Sequence, residues 1–459
     1  MNQEEKGDAK FLPASTTTCA GTFGSHPDMQ YIPAMLGAVE NEILKSKYVP
    51  SQLGQKNGIY EQTRFIPATY IRWASDTYAN SKFIPADVLT SRTNQVEDKG
   101  FSVTWWQKDS MFHYDSMLVS AFYGIKIPNY REKYNIPRKG FTLIGDSGGF
   151  QVANVEGATM NPANLARWYN ENVDKGFILD TPIVKYDPHH KKSMPFDFET
   201  ALNRTYSDTE TMMKITDVPL YGIMHGHNKE QLNAWWKKMS DFHFDAWCGG
   251  AKPASDPMLQ ALMCMQLKEF DIKRVHILGV SGFSVVPVLA YASKYFDFLS
   301  YDSGSYGEGA MYRAYRFPQN PQAKIYFGRD NKNHLKTLPC DCEVCRWAEP
   351  EMLYKEDSLA GALLSLHNLI IYIRYNQFMK SIAKDEEYFR QYLQGNFEPS
   401  DCGEKEGRKG MKPKVLEAID FIEYTAQNGL DAGYQKYKRY FETEETTPIV
   451  QEQRGSLFD

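Results

Sequence analysis

Short apolar runs alternate with amphipathic stretches along the middle of the chain, from about residue 140 to residue 303. The apolar runs have the length of buried strands, and the stretches between them carry apolar residues at the three- and four-residue spacing of one helix face. Asn, Asp or Ser stands near several of the helix starts, where N-caps are expected. The pattern therefore predicts consecutive parallel βα units. Their strands are FTLI (141–144), PIVKYD (182–187), PLYGIMHG (219–226), DAWCGG (245–250), VHILGV (275–280) and FDFLSYDS (296–303).

The ends of these predicted strands distinguish between two α/β architectures. Repeated βα units fit either a three-layer sheet or a closed barrel. Polar or glycine residues follow strand after strand, and functional groups gather on this one face of a barrel. We therefore predict an α/β fold with a TIM-like (β/α)8 barrel. The residues at the strand ends are Asp146, Asp187, His225 with Gly226, Gly249 with Gly250, Gly279 and Asp302.

The stretch GFTLIGDSGGFQ (140–151) leads a predicted strand into a carboxylate and a turn with few side chains. The turn would let the backbone approach a ligand closely, because it consists of Ser147, Gly148 and Gly149. Phe150 offers a flat ring on which a planar ligand could stack, while Asp146 and the N–H groups of the turn could read the edge of that ligand. The alternative is a tight strand-to-helix turn with a capping aspartate.

Three cysteines stand close together in PCDCEVCRW, ahead of a long predicted helix that contains His367. The spacing of Cys340, Cys342 and Cys345 brings their thiolates within reach of one ion, and His367 can supply a fourth ligand. A closed Cys3His site is structural, so we predict one structural Zn2+ per chain. The alternative, three reduced surface cysteines beside an unrelated helix, would be prone to oxidation.

Changes in composition divide the chain into five predicted segments. The first residues are rich in Thr, Ser and Gly, the last residues are acidic, and a polar, glycine-containing break precedes the final helical pattern. Low hydrophobicity at both ends favours chain without a fixed fold. The segments are a flexible N-terminal arm (1–28), the barrel domain (29–330), a zinc-binding subdomain (331–382), a C-terminal helical segment (383–442) and a flexible tail (443–459).

The 459 residues carry a net charge of −5, which excludes a chain that is basic throughout. Any contact with nucleic acid must therefore come from a local patch. Basic residues interleave with tyrosines in QKYKRYF (435–441), a combination that can hold phosphates and stack bases, although a solvated helix end is the simpler alternative. Candidate nucleic-acid contacts are Lys436, Lys438 and Arg439 there, with Lys191 and Lys192 just beyond Asp187.

Neither a membrane span nor a secretion signal is indicated by the sequence. No stretch reaches the roughly 18 uninterrupted apolar residues that a spanning helix needs, and MNQEEKGDAK lacks the basic and apolar regions of a signal peptide. Apart from the cluster, the cysteines show no disulfide-framework spacing. We expect a cytoplasmic protein with no membrane partner.

The chain contains DSGGFQ, a later aspartate, and C-x-C-x-x-C followed by His-Asn-Leu on a helix. Together these motifs, over roughly residues 140 to 370, resemble the queuine/archaeosine tRNA-guanine transglycosylase superfamily. The resemblance implies a TIM-like barrel with a zinc subdomain that exchanges a guanine in a nucleic acid for a 7-deazaguanine at C1′. Asp302 would be the nucleophile, Asp146 the acid/base and base-binding carboxylate, and Asp187 the reader of the Watson–Crick edge. Further substrate-binding residues would be Ser147, Gly148, Phe150, His225, Gly226, Gly249 and Gly250.

Base exchange requires such carboxylates on chemical grounds as well. A leaving guanine needs a proton, and the oxocarbenium ion that develops at C1′ needs an anion beneath it, so two carboxylates on opposite sides of one pocket are the minimal set. Asp146 and Asp302 suit these two roles. The N1–H and N2–H2 groups of guanine call for an acceptor, which Asp187 could supply.

Two departures from the tRNA enzymes bear on the nucleic acid. Those enzymes carry Pro-Thr-Arg after the nucleophile and Gln-Gly-Gly at an earlier strand end, where this chain has SYDSGSYGEGA and HGH. The chain is more similar to the divergent DpdA-type DNA-guanine transglycosylases of bacteria and phages, which insert preQ0-like bases into DNA. We therefore expect DNA and a free base such as preQ0 as partners, in a bacterial or phage-infected cell. The alternatives are a tRNA-acting enzyme and a non-catalytic partner subunit, and a homodimer remains open.

Overall fold

The computed structural model describes the backbone of residues 63–70 and, with gaps, residues 114–441. The gaps of four or more residues are 188–191, 250–255, 328–334 and 398–413. The predicted arm and tail therefore lie outside the described residues, as do Lys191 and Gly250. At Phe150, Asp187 and Lys192 the backbone is described, whereas the side chains lie outside the described part.

Parallel strands form a closed, barrel-like sheet. Around the ring the order is β1, β10, β9, β8, β7, β4, β3 and β2, which pairs again with β1, and every neighbouring pair is parallel. The carboxyl ends of these strands consequently open at one rim. The described strands are β1 (Thr63–Tyr70), β2 (Ser116–Ser120), β3 (Thr142–Asp146), β4 (Lys175–Phe177), β5 (Val184–Asp187), β6 (Lys192–Pro195), β7 (Leu220–Met224), β8 (Ala246–Gly249), β9 (Arg274–Ile277), β10 (Phe298–Ser303), β11 (Ala314–Arg316) and β12 (Lys324–Tyr326).

The α/β class and the barrel-like sheet predicted from the apolar runs are confirmed. Five of the six predicted strands overlap the barrel strands β3, β7, β8, β9 and β10. The strict alternation of eight strands with eight helices stays a prediction, because residues 71–113, between β1 and β2, lie outside the described residues.

The sixth predicted strand, which ends at Asp187, is not part of the barrel. Its residues form β5, which pairs antiparallel with β6 in a separate two-stranded sheet. The barrel instead takes the three residues of β4, which pair with β3 on one side and β7 on the other. The apolar runs predicted no strand at these three residues, and their strand conformation comes from the hydrogen bonds of both neighbours.

Helices connect the strands and extend beyond the barrel. The side chains of Asn161, Asp197, Asn228 and Asp256 accept hydrogen bonds from backbone N–H groups in the first turns of their helices, as N-caps do. No described helix is long and apolar enough to cross a bilayer. The helices are α1 (Ala121–Gly124), α2 (Tyr130–Lys133), α3 (Gly149–Asn154), α4 (Pro162–Asn172), α5 (Phe198–Met213), α6 (Lys229–Met239), α7 (Pro257–Glu269), α8 (Val286–Ala292), α9 (Ser305–Met311), α10 (Pro350–Tyr354), α11 (Ser358–Ile382), α12 (Glu386–Phe397), α13 (Lys414–Asn428) and α14 (Leu430–Lys436).

Tyr169, on α4, supports the barrel beneath the rim. Its buried hydroxyl lies 2.9 Å from the carbonyl oxygen of Gly145 in β3 and 3.0 Å from that of Phe177 in β4. A Cβ atom on Gly145 or on Gly176 would overlap the Tyr169 ring. The two glycines therefore allow the ring to pack directly on the backbone of β3 and β4.

Candidate functional site

Three aspartates lie at the carboxyl ends of barrel strands. Asp146 is the last residue of β3, Asp302 is the penultimate residue of β10, and Asp180 follows β4 by three residues. Their charges are close enough to interact, because Asp180 and Asp302 both raise the pKa of Asp146. The structure thus brings the predicted pair, Asp146 and Asp302, to one rim and adds Asp180 to it.

The carboxyl group of Asp146 has an altered proton affinity. Burial, followed by the negative charges of Asp180 and Asp302, raises its pKa to about 7, although a hydrogen bond from the Gly148 backbone N–H opposes the shift. A carboxyl group with this pKa is protonated in a large fraction of molecules near neutral pH. It can therefore donate a proton as well as accept one.

Two nitrogen atoms contact one carboxylate oxygen of Asp302. Its Oδ1 accepts a hydrogen bond from the backbone N–H of Gly279 at 2.7 Å and lies 3.2 Å from Nε2 of His276. Asp302 is 5% exposed and His276 is fully buried. Because hydrogen bonds to the charged form favour that form, the two donors suit an ionised carboxylate.

Asp180 pairs with His225, the residue that follows β7. The Nε2 atom of His225 lies 2.7 Å from Oδ2 of Asp180, and the two side chains are 3% and 9% exposed, respectively. Nδ1 of His225 is buried without a hydrogen-bond partner among the described residues. A buried Nδ1 lone pair without a partner costs less free energy than a buried Nδ1–H group without an acceptor. The arrangement therefore favours a neutral His225 that donates from Nε2 to an ionised Asp180.

The Ser-Gly-Gly turn after Asp146 packs against Asp180. Gly148 has a φ of +77°, which favours glycine, and a Cβ atom on Gly149 would overlap Oδ1 of Asp180. Ser147 is buried, and its Oγ accepts a hydrogen bond from the Gly149 N–H at 3.3 Å and lies 3.5 Å from Asp180 Oδ1. Gly149 thus lets the carboxylate of Asp180, a residue of the same chain, approach the backbone of the turn closely.

Two further glycines predicted at the site have packing roles. A Cβ atom on Gly226 would lie 2.7 Å from Cγ of Leu232, and one on Gly249 would overlap the Met263 side chain. Each glycine therefore lets a helix approach the end of its strand closely. Gly250 lies outside the described residues.

Cys248, in β8, lies within electrostatic range of the same carboxylates. Burial raises the pKa of its thiol well above the ordinary value, and the charges of Asp302, Asp180 and Asp146 raise it further. A thiol in these surroundings stays protonated at neutral pH. Because the thiolate is the nucleophilic form, Cys248 is a poor candidate for a nucleophile.

Cys340, Cys342, Cys345 and His367 form a buried cluster whose four ligand atoms all lie within 4.8 Å of one another. Nδ1 of His367 lies 3.4 Å from Sγ of Cys342 and 3.3 Å from Sγ of Cys345. Nε2 of His367 is 2.8 Å from the carbonyl oxygen of Arg316. Since a carbonyl only accepts, Nε2 carries the proton and the Nδ1 lone pair faces the sulfur atoms, as a metal ligand requires.

The surroundings of the cluster also suit a cation-binding thiolate site. Burial raises the pKa of the Cys340 thiol. Hydrogen bonds from Cys342 and Cys345 and the nearby Arg374 guanidinium outweigh burial and hold this pKa well below its ordinary value. The Tyr315 ring stacks on His367, with ring centroids 4.0 Å apart. These four residues could hold a metal ion such as zinc. The alternative of exposed surface cysteines is wrong, because all three cysteines are buried.

The basic residues near the C-terminus are exposed, but the tyrosines between them pack against their own chain. Tyr437 lies edge-on to Phe421, and Tyr434 stacks on Phe441. Nζ of Lys436 lies 3.8 Å from the Tyr424 ring centroid. Arg439 bonds the Glu417 carboxylate at 3.0 Å. The rings are therefore engaged by their own chain, and contact of this segment with nucleic acid stays a prediction.

Sequence reasoning missed Asp180 and His276. Asp180 stands directly after the apolar run FIL, in the same position as Asp146 after FTLI with its glycine, so a strand placed a few residues earlier would have identified it. His276 lies inside a correctly predicted strand and carries no local signal. A scan of protein-family models and a search of curated proteins with this sequence return no match.

Proposed function

We propose that this chain is a base-exchange transglycosylase that replaces guanine in DNA with a 7-deazaguanine such as preQ0, through a covalent aspartyl intermediate at C1′. The observation that supports the proposal is the pair of carboxylates at one rim with opposite surroundings. Asp302 accepts hydrogen bonds that favour its anion, whereas the pKa of Asp146 is raised to about 7. A nucleophile and a proton donor need these two states.

In the first half-reaction a carboxylate oxygen of Asp302 attacks C1′ of the target nucleotide. The bond from C1′ to N9 breaks, its electron pair stays on the guanine, and the guanine takes a proton from Asp146. In the second half-reaction the incoming base loses its N9 proton to Asp146, and N9 attacks C1′. The carboxylate of Asp302 then leaves with the electron pair of the ester bond, so both carboxylates regain their initial states.

Asp180 takes the base-reading role that the sequence suggested for Asp187. Asp180 lies among the site carboxylates, with His225 at its Oδ2 and Ser147 at its Oδ1. Asp187 belongs to β5, outside the barrel sheet. An ionised Asp180 would accept hydrogen bonds from N1–H and N2–H2 of guanine or of a 7-deazaguanine, which share that edge.

The Cys3His cluster would hold one zinc ion with a structural role. Three cysteines precede α11, and His367 lies on that helix, so a bound ion would join the segment after β12 to α11. With four protein ligands a tetrahedral ion has no open coordination position. Such an ion could not bind the substrate, so the proposed base exchange is assigned to the carboxylates alone.

The test is incubation with a labelled base and either duplex DNA or tRNA, followed by a denaturing gel for the covalent adduct. We expect label in DNA for the wild type and no adduct for Asp302→Asn, since an amide is not an attacking anion. Asp297→Asn, at an exposed position just before the same strand, is the matched control and should behave as the wild type. Exchange by Asp302→Asn would contradict the assignment of the nucleophile. Faster exchange into tRNA than into DNA would favour the tRNA-acting alternative.

A further inference from the structure

His276 links two side chains of the neighbouring strand inside the barrel. It lies on β9, opposite Ser300 of β10 in the parallel register. Its Nδ1 is 2.8 Å from Oγ of Ser300, and its Nε2 is 3.2 Å from Oδ1 of Asp302. Ser300 and Asp302 are two residues apart on one strand, so their side chains point to the same face. Both ring nitrogens of the fully buried His276 are thus engaged by β10.

These contacts define the proton position on a neutral His276. An ionised carboxylate only accepts, so Nε2 must donate to Asp302. Nδ1 of the neutral ring then accepts, and the hydroxyl of Ser300 is its donor. Ser300 therefore selects the tautomer in which His276 presents an N–H to Asp302.

Both donors to Asp302 act on the same oxygen. The Gly279 N–H reaches Oδ1 at 2.7 Å, and His276 reaches Oδ1 from β9. Gly279 has a φ of +66°, a conformation that favours glycine. Neither donor contacts Oδ2, which leaves that oxygen of Asp302 available to a substrate.

We propose that His276 is a positioning residue that makes Oδ2 of Asp302 the attacking oxygen and promotes release of the covalent intermediate. The inference rests on the proposed function. When Oδ2 bonds to C1′, Oδ1 becomes the carbonyl oxygen of a neutral ester and accepts hydrogen bonds more weakly than a carboxylate does. The N–H of His276 therefore stabilises the free carboxylate more than the ester, which makes Asp302 a better leaving group in the second half-reaction.

Loss of this hydrogen bond should therefore shift the protein toward the adduct. A hydrogen bond to a charged group corresponds to a change of about tenfold in such an equilibrium. In His276→Leu we expect a larger adduct fraction with DNA alone, and release about tenfold slower than in the wild type when excess preQ0 is added. His276→Gln keeps an N–H donor for Asp302 and an acceptor for Ser300, so it should restore release to near the wild-type rate.

The measurement is a chase experiment on denaturing gels with the full chain, in which preformed adduct is followed after preQ0 is added. Leu299→Val, a small change in the apolar packing of β10, controls for general loosening of the strand and should release adduct at the wild-type rate. If His276→Leu does not fold, Ser300→Ala carries the test, because loss of tautomer selection should also slow release.

The outcomes separate the inference from the function beneath it. Slow release in His276→Leu with recovery in His276→Gln supports the positioning role. Equal release rates in His276→Leu and the wild type, or equal defects in His276→Leu and His276→Gln, overturn it. A wild-type protein that forms no adduct with DNA or with tRNA overturns the proposed function, and this inference with it.

Discussion

Asp146 and Asp302 lie at the same rim of the barrel but differ in what surrounds their carboxyl groups. Two N–H donors contact Asp302, so its anion is stabilised locally. Asp146 is buried beside Asp180 and Asp302, and the resulting pKa of about 7 keeps a proton available. In the proposed mechanism the neighbouring residues, rather than the identity of the side chains, therefore divide the roles of nucleophile and acid.

Asp146→Asn should increase stability at high pH. In the unfolded chain the carboxyl ionises near pH 4, whereas in the folded chain its pKa is about 7. Between these values the folded chain holds a proton that the unfolded chain has released, so the contribution of this group to stability falls as the pH rises from about 4 to 7. We expect the variant to gain on the order of 2–4 kcal/mol over the wild type at pH 8 and little at pH 4.

Urea denaturation at several pH values measures this difference. Asp297→Asn, at an exposed carboxylate, is the control and should show no such dependence on pH. A difference between Asp146→Asn and the wild type that stays constant from pH 4 to pH 8 would show that Asp146 is not the titrating group.

Asp180→Asn should weaken binding of the free base. The amide no longer offers a charged acceptor to N1–H and N2–H2, and a hydrogen bond to a charged group is worth about 1.5–3 kcal/mol, or roughly 10- to 150-fold in Kd. Asp187→Asn changes the strand outside the barrel and should leave Kd for guanine or preQ0 near the wild-type value. Calorimetric titration decides, and a larger loss in Asp187→Asn than in Asp180→Asn would restore the original assignment.

At the scale of elements, β4 depends on its neighbours and on one aromatic ring. Gly176 sits at the middle of β4, and the Tyr169 hydroxyl bridges carbonyl groups of β3 and β4. Gly176→Ala places a methyl group against this ring, an overpacked arrangement that should cost about 1–3 kcal/mol or more in the free energy of unfolding.

The matched control for that substitution is Gly309→Ala in α9. Its added Cβ would meet no atom closer than 3.5 Å, and alanine is the better helix former by about 0.5–1 kcal/mol. Chemical denaturation of both variants gives the comparison. Similar stabilities for Gly176→Ala and Gly309→Ala would mean that β4 is not held by the contact between Tyr169 and its backbone.

The Cys3His cluster joins elements that follow the barrel. We expect about one zinc per chain in the purified protein. Cys345→Ser should lose the metal and melt at a lower temperature, since binding energy at a structural site contributes to folding. Cys264→Ala, which removes a buried thiol in α7 far from the cluster in sequence, should keep its zinc. Elemental analysis with thermal melting is the measurement, and full zinc content in Cys345→Ser would contradict the ligand set.

At the scale of the whole molecule, a net charge of −5 means that the proposed binding of DNA would depend on local cations. Arg439 is paired with Glu417, and Lys436 lies on the Tyr424 ring, so the C-terminal strip is partly committed to its own chain. Lys192 begins strand β6, and we expect it, together with its sequence neighbour Lys191, to be the stronger candidate for phosphate contacts.

Substituting both Lys191 and Lys192 by Ala should weaken DNA binding and reduce the slope of log K against log salt by about one for each phosphate that is no longer neutralised. Binding of free preQ0 should not change. The paired substitution of Lys436 and Lys438 by Ala is the comparison, and we expect a smaller change in slope. Fluorescence anisotropy over a range of salt concentrations gives both slopes, and an unchanged slope in the Lys191 and Lys192 variant would count against DNA binding at the hairpin.

The sequence alone determined the features that depend on neighbours along the chain. Apolar runs identified β3, β7, β8, β9 and β10, because a buried strand must be apolar whatever it pairs with. The cysteine spacing identified a metal-ligand cluster, since three cysteines within six residues are held together by the backbone itself. The ends of the strands then placed Asp146 and Asp302 at one rim, because parallel strands of a barrel end on the same side.

Only the tertiary structure decided which residues join Asp146 and Asp302 at the rim. β4 is a strand because β3 and β7 provide hydrogen bonds on both sides, and that pairing brings Asp180 to the rim, whereas Asp187 ends a strand outside the barrel sheet. His225 reaches Asp180 and His276 reaches Asp302 across strands, at separations of 45 and 26 residues. Such contacts depend on the closure and register of the sheet, which are set by all of its strands together and leave no mark in the local sequence around either histidine.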